Sequence, residues 1–510
     1  MVSAARRTTA TGWSIRWNER SARNAYRDGW WGPTTCADAL RETAAADPDR
    51  VLLVEGSVQI TAAALVERSE RLAAAMLERF ASGNVVSFML PNWHEAATVY
   101  MAATMAGMVA NPILPSLRDH ELRFLLASSR SRMIFAPAEF RGHDCAAMLG
   151  RVCRDLDEPP QVVTVRSVSE DAIALEALLA EPSKRPLPRV DPDDVRMLMY
   201  TSGTTGRPKG VLHTHNSLGA LIRQIGRHWM VAPGDKFLVA SPISHIGGSI
   251  YAFETPAMLG ASAVLLERWD PAEAVALMVK ERVTHMAGAT PFLRQLVDAA
   301  GQAGTRLPDL KVFICGGASV PSALIREAAR HFDRAIVTRV YGSTEVPVTT
   351  VGVTDPRDAA HAAETDGRPG IAEVRISDDG EIRARGPQML VGYIDPADEI
   401  SAFDADGFYR SGDQGRWRDG DHLVVTGRIK DLIIRNGENI APKEIEDLLL
   451  AHPQIDEIAI VGVPDARTGE RAVAVIVPAA GTHPTVAALA SFLAASGVAK
   501  FKYPEEVRIV

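Results

Sequence analysis

The stretch Met199-Tyr200-Thr201-Ser202-Gly203-Thr204-Thr205-Gly206-Arg207-Pro208-Lys209-Gly210-Val211 decides the reading of this chain. The short run Val195–Tyr200 leads into it and predicts a buried strand. Thr201–Gly206 then follow with no bulky side chain. Their backbone amides are free to turn toward an anion, and their hydroxyls add donors. Gly203 and Gly206 admit positive φ and close approach. Pro208 stiffens the exit. Lys209, read as the loop's only cation, sets an ammonium over whatever the loop holds. A concave row of amides with a cation is a phosphate cradle. The spacing is not that of the common P-loop, because Pro208 precedes the lysine and Gly210 follows it.

Outward from this loop, strand and helix patterns alternate. Before it, Thr61 caps a predicted helix running to about Phe80, and Val85–Leu90, Val109–Leu114, Met133–Ala136 and Gln161–Val165 read as strands. After it, Asn216–Met230, Pro271–Val283, Pro291–Ala300 and Pro321–His331 read as helices between strands Phe237–Ala240, His285–Ala289, Lys311–Cys315 and Ala335–Tyr341. This rhythm predicts βαβ units and parallel sheets, in two stacked doubly wound layers. Around Gly367–Tyr393 the pattern changes to short extended pieces, Ala372–Ile376, Glu381–Arg385 and Met389–Tyr393, which predict a small antiparallel sheet or barrel. After Lys430 comes a compact α+β unit. The fold class is therefore α/β, with a large N-terminal domain of two doubly wound layers plus a small β-barrel-like sheet, and a small α+β C-terminal domain on a hinge. The expected boundaries are an irregular, Arg- and Trp-rich segment at 1–33, a large domain at 34–429 and a small one at 430–510.

A chain of 510 residues exceeds one hydrophobic core. Its net charge of −8 offers no broad basic surface to nucleic acid. The four cysteines, Cys36, Cys145, Cys153 and Cys315, form no CxxC pair and read as reduced thiols. No run of about 18 apolar residues offers a membrane span, and no signal-peptide core follows Arg6-Arg7. A cytoplasmic protein is expected.

Further strings carry chemistry. Val340-Tyr341-Gly342-Ser343-Thr344-Glu345 sits just past a strand, where open α/β sheets bind ligands. Gly316-Gly317-Ala318 follows another strand. Then come Tyr409-Arg410-Ser411-Gly412-Asp413 and Thr426-Gly427-Arg428-Ile429-Lys430-Asp431. Ser241-Pro242-Ile243-Ser244-His245-Ile246-Gly247 and Asn436-Gly437-Glu438-Asn439-Ile440 complete the set. In this order the strings resemble the signatures of the adenylate-forming superfamily: acyl- and aryl-CoA ligases, luciferases and nonribosomal adenylation domains. The resemblance covers roughly residues 35–510. Arg27-Asp28-Gly29-Trp30-Trp31 and Pro242–Gly247 look most like ligases for medium-chain, alicyclic or aromatic acids.

The resemblance implies roles. Thr201, Ser202, Gly203, Thr204, Thr205 and Gly206, with Lys209, hold the β- and γ-phosphates of ATP. Glu345 holds Mg²⁺ on those phosphates, Thr344 touches the α-phosphate, and Tyr341, in one segment with Gly342 and Ser343, lies along adenine. Gly316, Gly317 and Ala318 line an adenine face and, at Gly317, the acyl pocket. Asp413 accepts the ribose hydroxyls, which suits a carboxylate facing a vicinal diol, and Arg428 reaches the same sugar. Lys430 is the hinge. His245 gates the pantetheine channel beside an acyl pocket formed with Ile246, Gly288 and Ala289, and Gly437 and Glu438 line the channel. Lys209, Thr344, Glu345 and His245 form the catalytic set. Ile246 stands where amino-acid-activating relatives carry an aspartate, so an α-amino acid is not expected.

The activity implied is acid + ATP + CoA giving acyl-CoA + AMP + pyrophosphate through an acyl adenylate. Alternatives are an enzyme that loads a carrier-protein pantetheine, and a nucleotide-binding homologue with impaired adenylation. The family ends in a motif whose lysine clamps the acyl carboxylate. The 510 residues stop at Arg508-Ile509-Val510 before it. The small domain is therefore expected to be short of its end and adenylation by these residues slow, unless Lys500 or Lys502 substitutes.

Overall fold

The structure, a computed structural model, describes residues 5–510 except 170, 184, 202–206, 318–319, 436–437 and 466. Val85–Phe88 is buried at every position, as is most of Ser131–Pro137. Strands buried on both faces belong to parallel sheets clad by helices. They lie in a sheet ordered Ile173–Ala174, Gln161–Val165, Ser131–Pro137, Val85–Phe88, Val109–Pro112, Val195–Thr201, Lys209–Thr214, Gly392–Tyr393. Neighbours pair parallel as far as Val195–Thr201, and the last two strands join antiparallel. A second sheet runs Ile336–Arg339, Val312–Cys315, His285–Gly288, Lys236–Val239, Ser262–Leu265, Val51–Glu55, Val58–Thr61. It is parallel except for the terminal hairpin.

The two sheets share one core. Met133 and Phe135 point into it with Phe88 and Met197, against Phe237, Val239 and Ile314 of the second sheet. Ile134 and Ala136, on the opposite face, pack under Leu122, Leu126 and Met148 of the outer helices Asp119–Ser129 and Cys145–Arg154. This is the period-2 alternation of a strand covered on both sides. Helix Ala62–Arg79 fills the shared layer through Leu65, Ser69, Leu72 and Met76, one stripe at helical spacing. The predicted cap holds, with Thr61 Oγ1 accepting from the Ala64 amide at 3.2 Å.

A four-stranded antiparallel sheet, Glu373–Ile376, Glu381–Arg385, Tyr409–Arg418 and His422–Arg428, forms the expected small sheet. The last unit pairs Ile433–Arg435 with Glu438–Ile440, and Ile455–Asp465 with Gly469–Pro478, under helices Pro442–Leu449 and Val486–Ala495. Leu489 and Leu493 meet Ile445 and Leu449 in its separate core.

Three expectations need correction. Residues 5–33, the described part of the N-terminal segment, are not irregular. Arg6–Thr8 pairs with Ser14–Arg16, and Glu19–Arg27 is a helix capped by Asn18. Only Ala22 and Ala25 of that helix are buried, so no apolar stripe announced it. Its neighbours do wrap the large domain: Ile15 is fully buried, and Trp31 Nε1 donates to Pro387 O at 2.9 Å. Second, Met389–Tyr393 does not join the small sheet. Gly392 and Tyr393 pair with Leu212 and Val211 on the edge of the first. Third, a hairpin at Val51–Thr61 went unread and extends the second sheet.

One charged pair lies at the centre of this apolar layer. Arg196 Nη2 donates to Glu254 Oε1 at 2.9 Å, the Tyr100 hydroxyl donates to the same oxygen, and both charged side chains are 0% exposed. Arg196 belongs to the strand that carries the phosphate loop, and Glu254 ends the π-helical turn Ile250–Glu254. Removing one member of a buried pair leaves an uncompensated charge, at a cost of about 3–5 kcal/mol. Arg196→Ala is expected to lower the urea midpoint of the large domain accordingly. A loss of about 1 kcal/mol, the scale of a surface pair, would show that Arg196 does not anchor the strand.

Candidate active site

Strands His285–Gly288, Val312–Cys315 and Ile336–Arg339 are adjacent and parallel. Their carboxyl ends therefore lie side by side, carrying Gly288-Ala289, Gly316-Gly317 and Tyr341-Gly342 to one edge of the second sheet. The Gly316 amide donates to Gly288 O at 3.2 Å and continues the ladder past the strand ends. A Cβ on Gly342 would stand 2.6 Å from the Val348 amide nitrogen, so the chain can fold back here only without a side chain. The Ser343 hydroxyl holds that fold by accepting from the Val346 amide at 3.2 Å.

The phosphate-loop strands meet this edge. Thr201 pairs with Lys209 and Tyr200 with Gly210, so both ends of the loop are held together. A Cβ on Gly210 would lie 2.7 Å from Ile394 and 2.8 Å from Leu198, which explains the glycine after the lysine. Ser202–Gly206, the middle of the loop, lie outside the described residues. Further along the same strand, His213 Nε2 lies 2.7 Å from Thr344 O, and its Nδ1 lies 3.1 Å from Ser217 Oγ. Burial pushes the His213 pKa down to about 4. The neutral ring therefore donates from Nε2 to the carbonyl and fastens the loop hairpin to the Tyr341–Glu345 segment.

Tyr393 joins the two signatures. Its hydroxyl donates to Glu345 Oε1 at 3.1 Å, and Lys209 Nζ stands 5.6 Å from its ring centroid. Glu345 is 7% exposed. Burial first, and then the Glu345 charge, pushes the phenols of Tyr393 and Tyr409 well above their ordinary pKa. Both stay protonated and face the carboxylate as neutral dipoles. Lys209 lies 3.7 Å from Asp398 Oδ1. It is not the loop's only cation: Arg207 is a second, tied to Asp395 at 2.8 Å and Asp398 at 3.2 Å.

Beside them, the Tyr341 hydroxyl donates to Asp413 Oδ2 at 2.7 Å, and Arg428 Nε lies 3.2 Å from Asp413 Oδ1. Burial raises the Asp413 pKa, against the pull of Tyr341 and Arg428. These residues line a cleft of ≈ 640 Å³ between the large domain and the C-terminal unit, together with Gly317, Gly342 and Lys430. The C-terminal unit contributes Lys443 and Glu446.

Other expected residues stand apart. His245 is exposed at the start of the helical turn Ile246–Ser249, in surroundings whose desolvation lowers its pKa. Glu438 is exposed on its strand, and neither it nor His245 lines the cleft. Ala318 and Gly437 lie outside the described residues. Sequence reading missed three supports. His213 is one. Asn92 is another: its Nδ2 donates at 3.1 Å to Val239 O, Ser241 O and Leu266 O, and its Oδ1 accepts from Ile243 N at 3.1 Å, which fixes the turn before His245. Asp366 is the third, held by Arg339 Nη2 at 2.7 Å on the cleft wall. The signal for Asp366 was the turn string Asp366-Gly367-Arg368-Pro369. A lone buried amide such as Asn92 carries none.

Comparison with known proteins agrees with this arrangement. The AMP-binding enzyme family matches residues 40–394, and the AMP-binding enzyme C-terminal domain matches residues 444–510. A medium-chain fatty-acid–CoA ligase of Escherichia coli is 33% identical, over 98% of this chain and 90% of its own. A methyl-dioxo-octahydro-indenyl-propanoyl:CoA ligase of Rhodococcus jostii is 31% identical, over 94% of this chain and 95% of its own. The crystal structure of ATP-bound MatB from Rhodopseudomonas palustris superposes with a TM-score of 0.81 at 26% identity, covering 94% of this chain and 95% of that one. The chain belongs to the AMP-binding enzyme family of adenylate-forming ligases.

Proposed function

We propose that this chain is an ATP-dependent carboxylic acid–CoA ligase that works through an acyl adenylate. The observation that supports it best is the meeting of Lys209 and Glu345 on Tyr393, at the carboxyl edge of the sheet and beside the Tyr341–Asp413–Arg428 cleft. A cleft of ≈ 640 Å³ is the size of a small-molecule site. Relatives that act on medium-chain and alicyclic acids favour an acid with an apolar body. The four cysteines are free thiols, which suits the cytoplasm.

A carboxylate does not acylate a thiol, because its leaving group would be oxide. In the first step a carboxylate oxygen attacks the α-phosphorus of ATP. The bond to pyrophosphate breaks, and the electron pair leaves with it. Lys209 and the loop amides hold the outgoing phosphates, and Thr344 donates to the α-phosphate. Asp413 accepts from the ribose diol, a task that displaces the Tyr341 hydroxyl from one of its oxygens. Glu345 offers a hard carboxylate oxygen of the kind Mg²⁺ selects, so the residues present fit that ion. When bound, Mg²⁺ supplies countercharge to the phosphate oxygens. In the second step the thiol of CoA attacks the adenylate carbonyl, AMP departs, and the thioester forms. In this reading His245, whose pKa desolvation lowers, is the residue that gates the pantetheine. The two steps need different surroundings, and Lys430, between a large domain at 34–429 and a small one at 430–510, is the pivot.

The experiment is a panel of straight-chain, alicyclic and aromatic acids read by pyrophosphate release, with CoA or a phosphopantetheinylated carrier as acceptor. Apolar acids with CoA are expected to turn over. Turnover with the carrier alone would move the enzyme to the loading class, and no pyrophosphate from any acid would overturn the reading.

Three variants test the assigned roles. Losing one preorganised donor costs about 10²–10³ in rate, so Lys209→Ala is expected to slow pyrophosphate release by that much. Glu345→Gln keeps the shape and should raise the Mg²⁺ concentration needed for half-maximal rate. An unchanged rate in the first, or an unchanged Mg²⁺ requirement in the second, removes that residue from the site. Lys430→Pro fixes φ near −65° and is expected to impair one half-reaction more than the other. Equal loss in both would place the hinge elsewhere.

A further inference from the structure

Away from the cleft, three side chains from one helix and one strand converge. Asp358 caps the helix Ala359–Glu364, His361 lies one turn on, and His422 opens the strand His422–Arg428. Their potential ligand atoms all lie within 4.8 Å of one another. The two imidazoles stack, with centroids 3.9 Å apart and planes 6° from parallel. We propose that Asp358, His361 and His422 bind a divalent transition-metal cation of the zinc type, which clamps this helix to the start of the strand.

The carboxylate of Asp358 faces one nitrogen of each ring. Its Oδ1 lies 2.7 Å from His361 Nδ1, and its Oδ2 lies 4.0 Å from His422 Nε2. The far nitrogen of each ring faces a further carboxylate. His361 Nε2 lies 2.8 Å from Asp419 Oδ2, and His422 Nδ1 lies 2.8 Å from Asp421 Oδ1. Metal-binding histidines are usually backed in this way by an outer carboxylate, which fixes the tautomer and aims the inner nitrogen. Here both are.

His422 points to a ligand independently. It is 1% exposed, and neither of its ring nitrogens makes a hydrogen bond, since Asp421 is close but off the donor line. A buried imidazole without a partner is costly, and a cation on Nε2 would satisfy it. Two imidazoles and one carboxylate are the donor set of zinc and its transition-metal neighbours rather than of Mg²⁺ or Ca²⁺, which prefer oxygen. Ligand bonds of about 2.0–2.2 Å would require Oδ1 to draw back from His361 Nδ1 and the rings to tilt apart. A second triad, Glu55, His94 and Glu95, is equally close-knit. There Arg166 already supplies the cation, with Nη2 2.7 Å from Glu95 and 2.8 Å from Glu55.

The test uses the full chain, treated with a chelator and titrated with Co²⁺. One equivalent is expected to bind and give the visible d–d bands of a four-coordinate site, which Zn²⁺ then displaces. Asp358→Asn keeps a good helix cap but removes the charged ligand. It should weaken binding at least about tenfold. Zn²⁺ should raise the Tm of the wild type and not of this variant. His422→Gln should lose the bands, while His94→Gln should titrate as wild type. If His422→Gln does not fold, Asp358→Asn decides alone. No stoichiometric binding by the wild type, or wild-type affinity in Asp358→Asn, overturns the site.

Discussion

The antiparallel return of Lys209–Thr214 against Val195–Thr201 is the constraint on which the rest depends. Sheet register is strict, because a slip of one residue turns every side chain to the other face. In the register Thr201 with Lys209 and Tyr200 with Gly210, Met197 and Met199 enter the shared core, Leu198 and Leu212 pack on the other face, and Lys209 comes out beside Tyr393. Gly210 enforces that choice, because Leu198 and Ile394 occupy the space a side chain would need. The same strand then delivers His213 to the Thr344 carbonyl and accepts Gly392–Tyr393 along its outer edge. Thr344, 131 residues beyond His213, and Gly392–Tyr393, further still, are thus brought together by one hairpin.

Burial gives that junction its electrical character. Tyr341, Tyr393 and Tyr409 are all held protonated by desolvation, so the carboxylates of Glu345 and Asp413 meet hydroxyl dipoles instead of competing charges. Charges in such a setting interact more strongly than in water. Glu345 can therefore receive a cation in exchange for a hydroxyl contact, while Asp413 faces the diol with Arg428 already 3.2 Å away. Asp413 shows the tension most plainly. Burial pushes its pKa up, while Tyr341 and Arg428 pull it down.

Most of the architecture was legible because the strands are continuous apolar runs and a helix start can carry a clear cap, as at Thr61. The Glu19–Arg27 helix was not legible, since two alanines make its entire buried face. Met389–Tyr393 was assigned to the wrong sheet because strand character is local, whereas partner choice depends on where Val211 and Leu212 lie in space. The site divides along the same line. Residues within signature strings, such as Glu345, Tyr341 and Asp413, could be named through the strings' resemblance to those of the family. His213, Asn92 and Asp366 act through backbone carbonyls, amides and a buried arginine, and such partners leave no trace in a one-dimensional pattern.

The last step concerns where the chain is able to bend. Strand His422–Arg428 is bound to the large domain almost to its end. The Leu423 amide donates to Gly367 O, the Asp366 amide donates to Leu423 O at 2.7 Å, and the Val425 amide donates to Asp366 Oδ2 at 2.8 Å. Asp366 is itself fixed by Arg339 at the end of Ile336–Arg339, so this anchor is continuous with the sheet that carries Tyr341. Arg428 makes the final tie, to Asp413. The next residues, Ile429–Asp431, form a single exposed 3₁₀ turn with no buried side chain. A short turn with few buried contacts is the cheapest place to change φ and ψ. Any swing of the C-terminal unit against the Asp413–Tyr341 wall must therefore begin after Arg428. It would carry Lys443 and Glu446 across the cleft while leaving Tyr341 and Asp413 where the sheets hold them.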